Sequence, residues 1–405
     1  MTGQPPDDDW SAPETAVMDA IRDALVAGRR AVVATVVAVE GRAYRRPGAK
    51  MLVDDGSVGS VTAGCLADEV RALAEAVRAS DESRVERFDL TDDEEWGLGL
   101  GCNGVVDLLL EPLDERFAPL ADRYAAGEDG LALTVVDPGG TDLAVGDRAY
   151  APDGDCSAVR ALPEWLVSAV AERARELYDR GASRTVTVEP TPESVATKQG
   201  PESVAAEQGP ESVAVESPSG NVRVFVDPMC APPDLYVLGS GADARPVSEL
   251  AAKAGFRVTV VAFRGGRADP ARFPRADRVV SASAPRVANE LAVDDDTYAV
   301  VMSHNAVDDR LAVESLLDTP VAYIGLMGPE SRFERVREEF DAAGRPLTDE
   351  ELDRIYAPVG LDLGGGTPYQ IATSIVGEAL AVHNGREPRH LRERASPIHD
   401  RFGSE

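Results

Sequence analysis

Two of the four cysteines in this chain sit beside residues with little or no side chain, which leaves their sulfurs open to a reactant or ligand. Cys65 follows Gly64 in TAGCLADEV and stands at the start of an expected helix, where a partial positive charge of about half a unit favours thiolate. Cys102 lies between Gly101 and the Asn103-Gly104 pair in GLGCNGVVD. Upstream, GRAYRRPGAKMLV carries Arg45 and Arg46, adjacent guanidiniums that could add positive charge or hold an anion. The competing reading of each cysteine is a small buried hydrophobe, inert by enclosure. Cys65, Cys102, Cys156 and Cys230 are widely spaced and form no CxxC, so reduced thiols are expected rather than a zinc ribbon or a disulfide framework.

A second constellation lies downstream. DLYVLGSGADARPVSELAAKAG places Gly239 and Gly241 at a strand end, with Ala244 as the third small residue of a G-x-G-x-x-A loop before a helix. The acidic residue that would hold a ribose about 20 residues further on is missing, because VTVVAFRGG offers Ala262 and Phe263 there. Asp243, inside the loop, would oppose a pyrophosphate, so NAD(P) binding is in doubt; a glycine turn kept for packing is the alternative. His304, in VVMSHNAVDDR, follows a strand and precedes a helix, which puts it in the ligand-facing crevice of such a sheet or gives it a capping role. HExxH, GxxxxGK[ST] and GxSxG are all absent, which removes the main sequence support for zinc proteases, P-loop NTPases and α/β-hydrolases.

The elements that position these residues follow from pattern. Val17, Ile21 and Leu25 mark a helix ending at Gly28, and RAVVATVVAVEG reads as a strand buried on both faces. AKMLVDDGSVGSV reads as two strands around an Asp55-Gly56 turn, LADEVRALAEAVRAS as a helix and GVVDLLLEPL as a strand. From Asp234 onward DLYVLG, RVTVVA, DRVV, TYAVVMS and VAYIG alternate with helical stretches, as in a doubly wound parallel sheet. Thr367, Pro368 and Gln370 supply the capping chemistry of a last helix. PESVATKQG, PESVAAEQG and PESVAVESP repeat one unit rich in proline, acid and glycine, which cannot build a core. The expected fold class is therefore α/β: an N-terminal mixed domain over 12–115, a middle segment over 116–232 with a disordered acidic repeat insertion at 191–218, a C-terminal Rossmann-like domain over 233–386, and a polar tail over 387–405.

Charge narrows the partners. Seventy-one Asp and Glu against 41 Lys and Arg leave a net charge of -30, which disfavours nucleic acid and anionic lipid. Lys50, Lys198 and Lys253 are the only lysines, an acid-rich and lysine-poor composition expected of a halophilic, haloarchaeal-type cytosol. No apolar run is long enough for a membrane span, and MTGQPPDDDW lacks the regions of a signal peptide, so the expected location is cytoplasmic.

GRAYRRPGAKMLV, GSVTAGCLADEV and GLGCNG together resemble the N-terminal domain of the XdhC/CoxI family, the accessory proteins of xanthine dehydrogenase and CO dehydrogenase. YVLGSGADARPVSELAAKAGFRVTVV, VVMSHNAVDDRLAVESLL, AYIGLMGPESRFERV and APVGLDLGGGTPYQIATSIVGEALAV resemble its C-terminal Rossmann domain. The family's GGC and GCGG glycines are replaced by Ala63 and Asn103, and its Asp after the second Rossmann strand by Ala262-Phe263. The resemblance implies a chaperone of the molybdenum cofactor (molybdopterin) rather than an enzyme. Such a protein binds the cofactor transiently, supports its sulfuration by a cysteine desulfurase and aids its insertion into the apo-subunit of a molybdenum hydroxylase; a homodimer is compatible with this role. Cys65 and Cys102 would then approach the metal as soft ligands, and Arg45 and Arg46 would hold the pterin phosphate. Gly64, Gly101, Gly239, Gly241 and His304 complete the expected cofactor-binding set. The alternatives are an NAD(P)-dependent oxidoreductase built on the Rossmann half, and a scaffold that docks the partners without holding cofactor.

Overall fold

The computed structural model describes residues 9–41, 43–64, 66–90, 104–190 and 220–393. The chain forms two compact units, Met1–Ala231 and Pro232–Glu405. Among the described residues no helix is long and apolar enough to cross a membrane.

The first unit is built twice from one pattern. Helix α1 (Glu14–Val26) leads to β1 (Val32–Gly41), β2 (Lys50–Val53) and β3 (Ser57–Gly59), then to α2 (Ala67–Ser80), β4 (Arg84–Asp89) and β5 (Gly104–Pro112). The chain then repeats the path through α3 (Ala118–Ala126), β6 (Gly130–Asp137), β7 (Arg148–Ala151), α4 (Glu164–Asp179), β8 (Arg184–Val188) and β9 (Val222–Met229). The first sheet has the order β3-β2-β1-β5-β4 and the second β7-β6-β9-β8, so without β3 the two topologies are the same. Registers agree residue by residue. Thr35 faces Lys50 and Thr134 faces Arg148; Val33 faces Glu111 and Ala132 faces Asp227. Each central pair carries a bulge, after Val36 in one copy and after Val135 in the other.

The central strands β1, β5, β6 and β9 are mostly apolar on both faces because each sheet is covered twice. Val32, Ala34 and Val36 pack under Val70, Ala74 and Val77 of α2, and Leu131, Leu133 and Val135 pack in the same way under Val170, Ala174 and Leu177 of α4. The opposite faces meet each other: Val37 and Leu109 of the first copy cluster with Val136 and Phe225 of the second. Helices α1 and α3 close a further shared core around Ile21 and Tyr124. An antiparallel α/β/β/α sandwich therefore gives β1 the continuous apolar sequence that a parallel sheet would also demand. Reciprocal charges cross the interface. Lys50 of the first copy pairs with Asp227 of the second at 2.6 Å, and Arg148 of the second pairs with Glu111 of the first at 2.5 Å. Asp107 and Arg223, at matching positions, pair with each other at 3.2 Å. Contacts that run both ways between matching residues identify a two-fold relation.

The second unit is a parallel sheet of six strands: β10 (Asp234–Leu238), β11 (Arg257–Ala262), β12 (Arg278–Ser281), β13 (Thr297–Val301), β14 (Tyr323–Leu326) and the two-residue β15 (Ile355–Tyr356). Helices α5 (Ala244–Lys253), α6 (Val287–Glu290), α7 (Ala306–Leu317), α8 (Glu330–Ala342), α9 (Asp349–Asp353) and α10 (Pro368–His383) complete it, the last with the expected Thr367–Gln370 capping box. The spatial order β12-β11-β10-β13-β14-β15 is that of a dinucleotide-binding Rossmann sheet, with its switch point between β10 and β13. Gly239 is required there, since a Cβ at this residue (φ +152°) would strike the Met302 carbonyl oxygen and lie 2.7 Å from its carbon. Gly239→Ala is accordingly expected to destabilise the protein by about 1–3 kcal/mol, read from a urea titration followed by circular dichroism.

Candidate anion-binding end of the N-terminal unit

Cys65, Gly101 and Cys102 lie outside the described residues. The described chain on either side of them is informative. Gly41 pairs with Gly104 and Asp89 with Val105, while Gly59 pairs with Met51 next to the start of β2. The β1–β2 connection, the segment after β3 and the connection from Leu90 to Gly104 therefore all leave the first sheet at one end. Gly64 adopts φ +96° with open space where a Cβ would stand, and its N–H donates to Thr62 Oγ1 at 3.3 Å. Leu66, on the other side of position 65, is buried as the first anchor of α2.

Arg45 and Arg46 sit in the β1–β2 connection at this end. Arg45 is half-buried, and its Nε is enclosed with no hydrogen-bond partner among the described residues. A guanidinium edge in that condition suits an anionic ligand, because an unmet buried donor costs about 1–3 kcal/mol. Arg46 is exposed and opens a tight turn in which the Ala49 N–H donates to the Arg46 carbonyl at 3.1 Å. Pro47 and Gly48 (φ +98°) at the two central positions fit a type II turn. Lys50, the lysine of the same GRAYRRPGAKMLV stretch, follows directly. Its ammonium donates to the Gly48 carbonyl at 3.0 Å and to Asp227 at 2.6 Å, and Ser183 Oγ donates to the other oxygen of Asp227 at 2.7 Å. The signal for these groups lies in two acid-proline steps, LLLEP and VFVDP, each ending an apolar run.

The second copy has the same frame without the same chemistry. Its turn, Ala144 to Asp147, is closed by a 3.1 Å bond and uses Gly146 at φ +91°. Leu143 and Ala144 stand where the first copy has Arg45 and Arg46, and Trp165 stands before Leu166 where Cys65 stands before Leu66. The repeats at 191–218 fall between β8 and β9, the same connection that holds Cys102 between β4 and β5 in the first copy; they too lie outside the described residues.

In the second unit the structure brings Gly239, Gly241 and His304 together at the switch point. His304 has φ +61°, and its Nε2 lies 3.0 and 3.1 Å from the two carboxylate oxygens of Asp243. A Cβ on Gly241 would run into Asp243 and come within 3.0 Å of that nitrogen. Arg264 is engaged by Asp308 at 2.8 Å, and β11 ends at Ala262 with no acid following. Among the described residues no group of three or more His, Cys, Asp and Glu could hold a metal ion.

These features define a two-unit α/β protein with a duplicated antiparallel N-terminal unit and a Rossmann C-terminal unit. Residues 235–379 match the model of the XdhC Rossmann domain, and residues 24–89 match that of the XdhC and CoxI family. The chain belongs to the XdhC/CoxI family. It is 25% identical over 360 residues to a probable xanthine dehydrogenase subunit of Bacillus subtilis, covering 86% of this chain and 92% of that one. It is also 28% identical over 166 residues to the uncharacterized protein YqeB of Escherichia coli, covering 41% of this chain and 30% of that one. The crystal structure of a xanthine dehydrogenase from Bacillus halodurans superposes with a TM-score of 0.67 at 22% identity, over 96% of this chain and 100% of that one, which is a likeness of fold.

Proposed function

We propose that this protein is an accessory factor of a xanthine dehydrogenase- or CO dehydrogenase-type molybdenum hydroxylase that takes the molybdopterin cofactor as cargo. The observation that carries the reading is Arg45, a guanidinium at the loop end of the first sheet whose buried Nε no described residue satisfies, in a chain of this family. Arg45 and Arg46 hold the cofactor phosphate, and Cys65 and Cys102 supply thiolates to the metal or receive sulfur from a cysteine desulfurase. The apo-hydroxylase accepts the cargo. The test is equilibrium binding of molybdopterin released from a molybdenum hydroxylase. The expected result is equimolar binding by the native chain, weakened about tenfold or more by Arg45→Ala, the scale of a lost charged hydrogen bond. Cys65→Ala and Cys102→Ala are expected to weaken it as well. Full retention by both cysteine variants removes the thiols from the mechanism, and full retention by Arg45→Ala removes the phosphate site.

A second reading, dinucleotide binding by the Rossmann unit, is favoured by its strand order and by Gly239 at the switch point. The Asp243 carboxylate stands against it, since a pyrophosphate there would face a negative charge. NADPH fluorescence titration with turnover of a small carbonyl compound would favour this enzyme reading over the accessory role.

A further inference from the structure

We infer that Lys50, held by Asp227 of the second copy, whose carboxylate Ser183 in turn supports, is a positioning residue for the Arg45–Arg46 loop; the inference rests on that loop being the anion site proposed above. Lys50 and Asp227 are both almost wholly buried, with side chains 5% and 6% exposed. The ammonium divides its bonds between that carboxylate and the carbonyl of Gly48, the third residue of the turn that Arg46 opens. Gly48 is pinned from the other side as well, since its N–H donates to the Val36 carbonyl at 2.9 Å, and a Cβ on it would lie 2.5 Å from Ser183 Oγ. The turn therefore has little freedom, and it fixes where the backbone of Arg46 and the preceding Arg45 can run. A site organised in advance loses less entropy when it binds an anion.

The duplication supplies a control within the same molecule. Arg148 and Glu111 make the matching buried pair, and Ser83 lies against Gly146 as Ser183 lies against Gly48; the Gly146 carbonyl accepts from Arg116 at 3.3 Å where that of Gly48 accepts from Lys50. That frame supports a turn preceded by Leu143 and opened by Ala144, which offer an anion nothing. A purely structural role predicts equal consequences for matching substitutions in the two copies. A positioning role predicts consequences for binding in one copy only.

The experiment titrates the full-length chain with inorganic phosphate, followed by phosphorus NMR, and records the unfolding midpoint of every variant. Arg45→Ala is measured first. If it leaves phosphate binding unchanged, the proposed anion site itself fails. With that site established, Lys50→Met is expected to weaken phosphate about tenfold, a factor equal to about 1.4 kcal/mol, while Arg148→Met leaves it within twofold. Lys50→Arg is expected to restore most of the affinity, since a guanidinium keeps the charge opposite Asp227 and has donors to spare for the Gly48 carbonyl. Should either methionine variant fail to fold, Ser183→Ala against Ser83→Ala repeats the comparison with milder changes that keep both buried ion pairs. Equal loss of binding from both copies, or no loss from Lys50→Met and Ser183→Ala, overturns the inference.

Discussion

Asp227→Ala is expected to destabilise the N-terminal unit by about 3–5 kcal/mol, because it leaves the Lys50 ammonium enclosed between two sheets with no countercharge. The Gly48 carbonyl, at 3.0 Å, would still accept from that ammonium but carries no charge to balance it. Glu111→Ala should cost a similar amount by stranding Arg148, whose side chain is 7% exposed and stacks over the Phe117 ring. Burial pushes the Glu111 carboxyl above its usual range, with Arg148 as the main opposing influence. Such a pair holds charge in place more than it adds net stability. Replacing both members by apolar residues, as in Lys50→Met with Asp227→Leu, is therefore expected to recover most of the loss, and the stability of this double variant need not fall below that of the native chain. Trp10, Trp96 and Trp165 are the only tryptophans and all lie in this unit, so urea unfolding followed by tryptophan emission reports it. A single variant that lost less than about 1 kcal/mol would place the pair among ordinary surface bridges and remove the argument for a welded interface.

Much of this frame is legible in the residues. RAVVATVVAVEG announces a strand buried on both faces, and β1 is that strand, but apolar content alone cannot say that a second sheet rather than a second layer of helices covers one face. The Asp55-Gly56 turn, the Thr367–Gln370 cap and the alternation after Asp234 each rest on local chemistry, and each is present. β15 escapes because two residues carry no periodicity. The duplication escapes for a different reason. What the copies share is charge sign and burial, with Lys50 answered by Arg148 and Glu111 by Asp227, while their connections diverge in length and composition. Arg45 is marked by its neighbours in sequence; its unmet Nε and the Lys50–Asp227 support depend on strands far apart in the chain, which no local spacing records.

Asp309→Ala is expected to cost the Rossmann unit a further large amount, about 3–5 kcal/mol, and to free His304. Asp309 is fully buried in the first turn of α7, where a carboxylate also meets the positive end of the helix dipole. One oxygen accepts from the Ser303 N–H at 3.1 Å and from the Ser303 hydroxyl; the other pairs with Arg332 of α8. Alanine removes all three at once and leaves a guanidinium whose Nε is already enclosed without a partner among the described residues. Asparagine keeps the shape and gives up the charge, so Asp309→Asn should fall between the native chain and Asp309→Ala. The consequence for the crevice follows from chain order. Asp309 anchors Ser303, the residue before His304, and a left-handed histidine persists only while its surroundings hold it. Hydrogen exchange is expected to show lost protection in β13 and β14, with β1 to β9 keeping theirs. Because the chain has only four histidines, imidazole NMR can follow His304 separately, and its resonance should move toward that of a solvated ring as the Asp243 contact loosens. Unchanged protection at Leu326 together with an unmoved His304 signal would show that Asp309 does not hold this crevice.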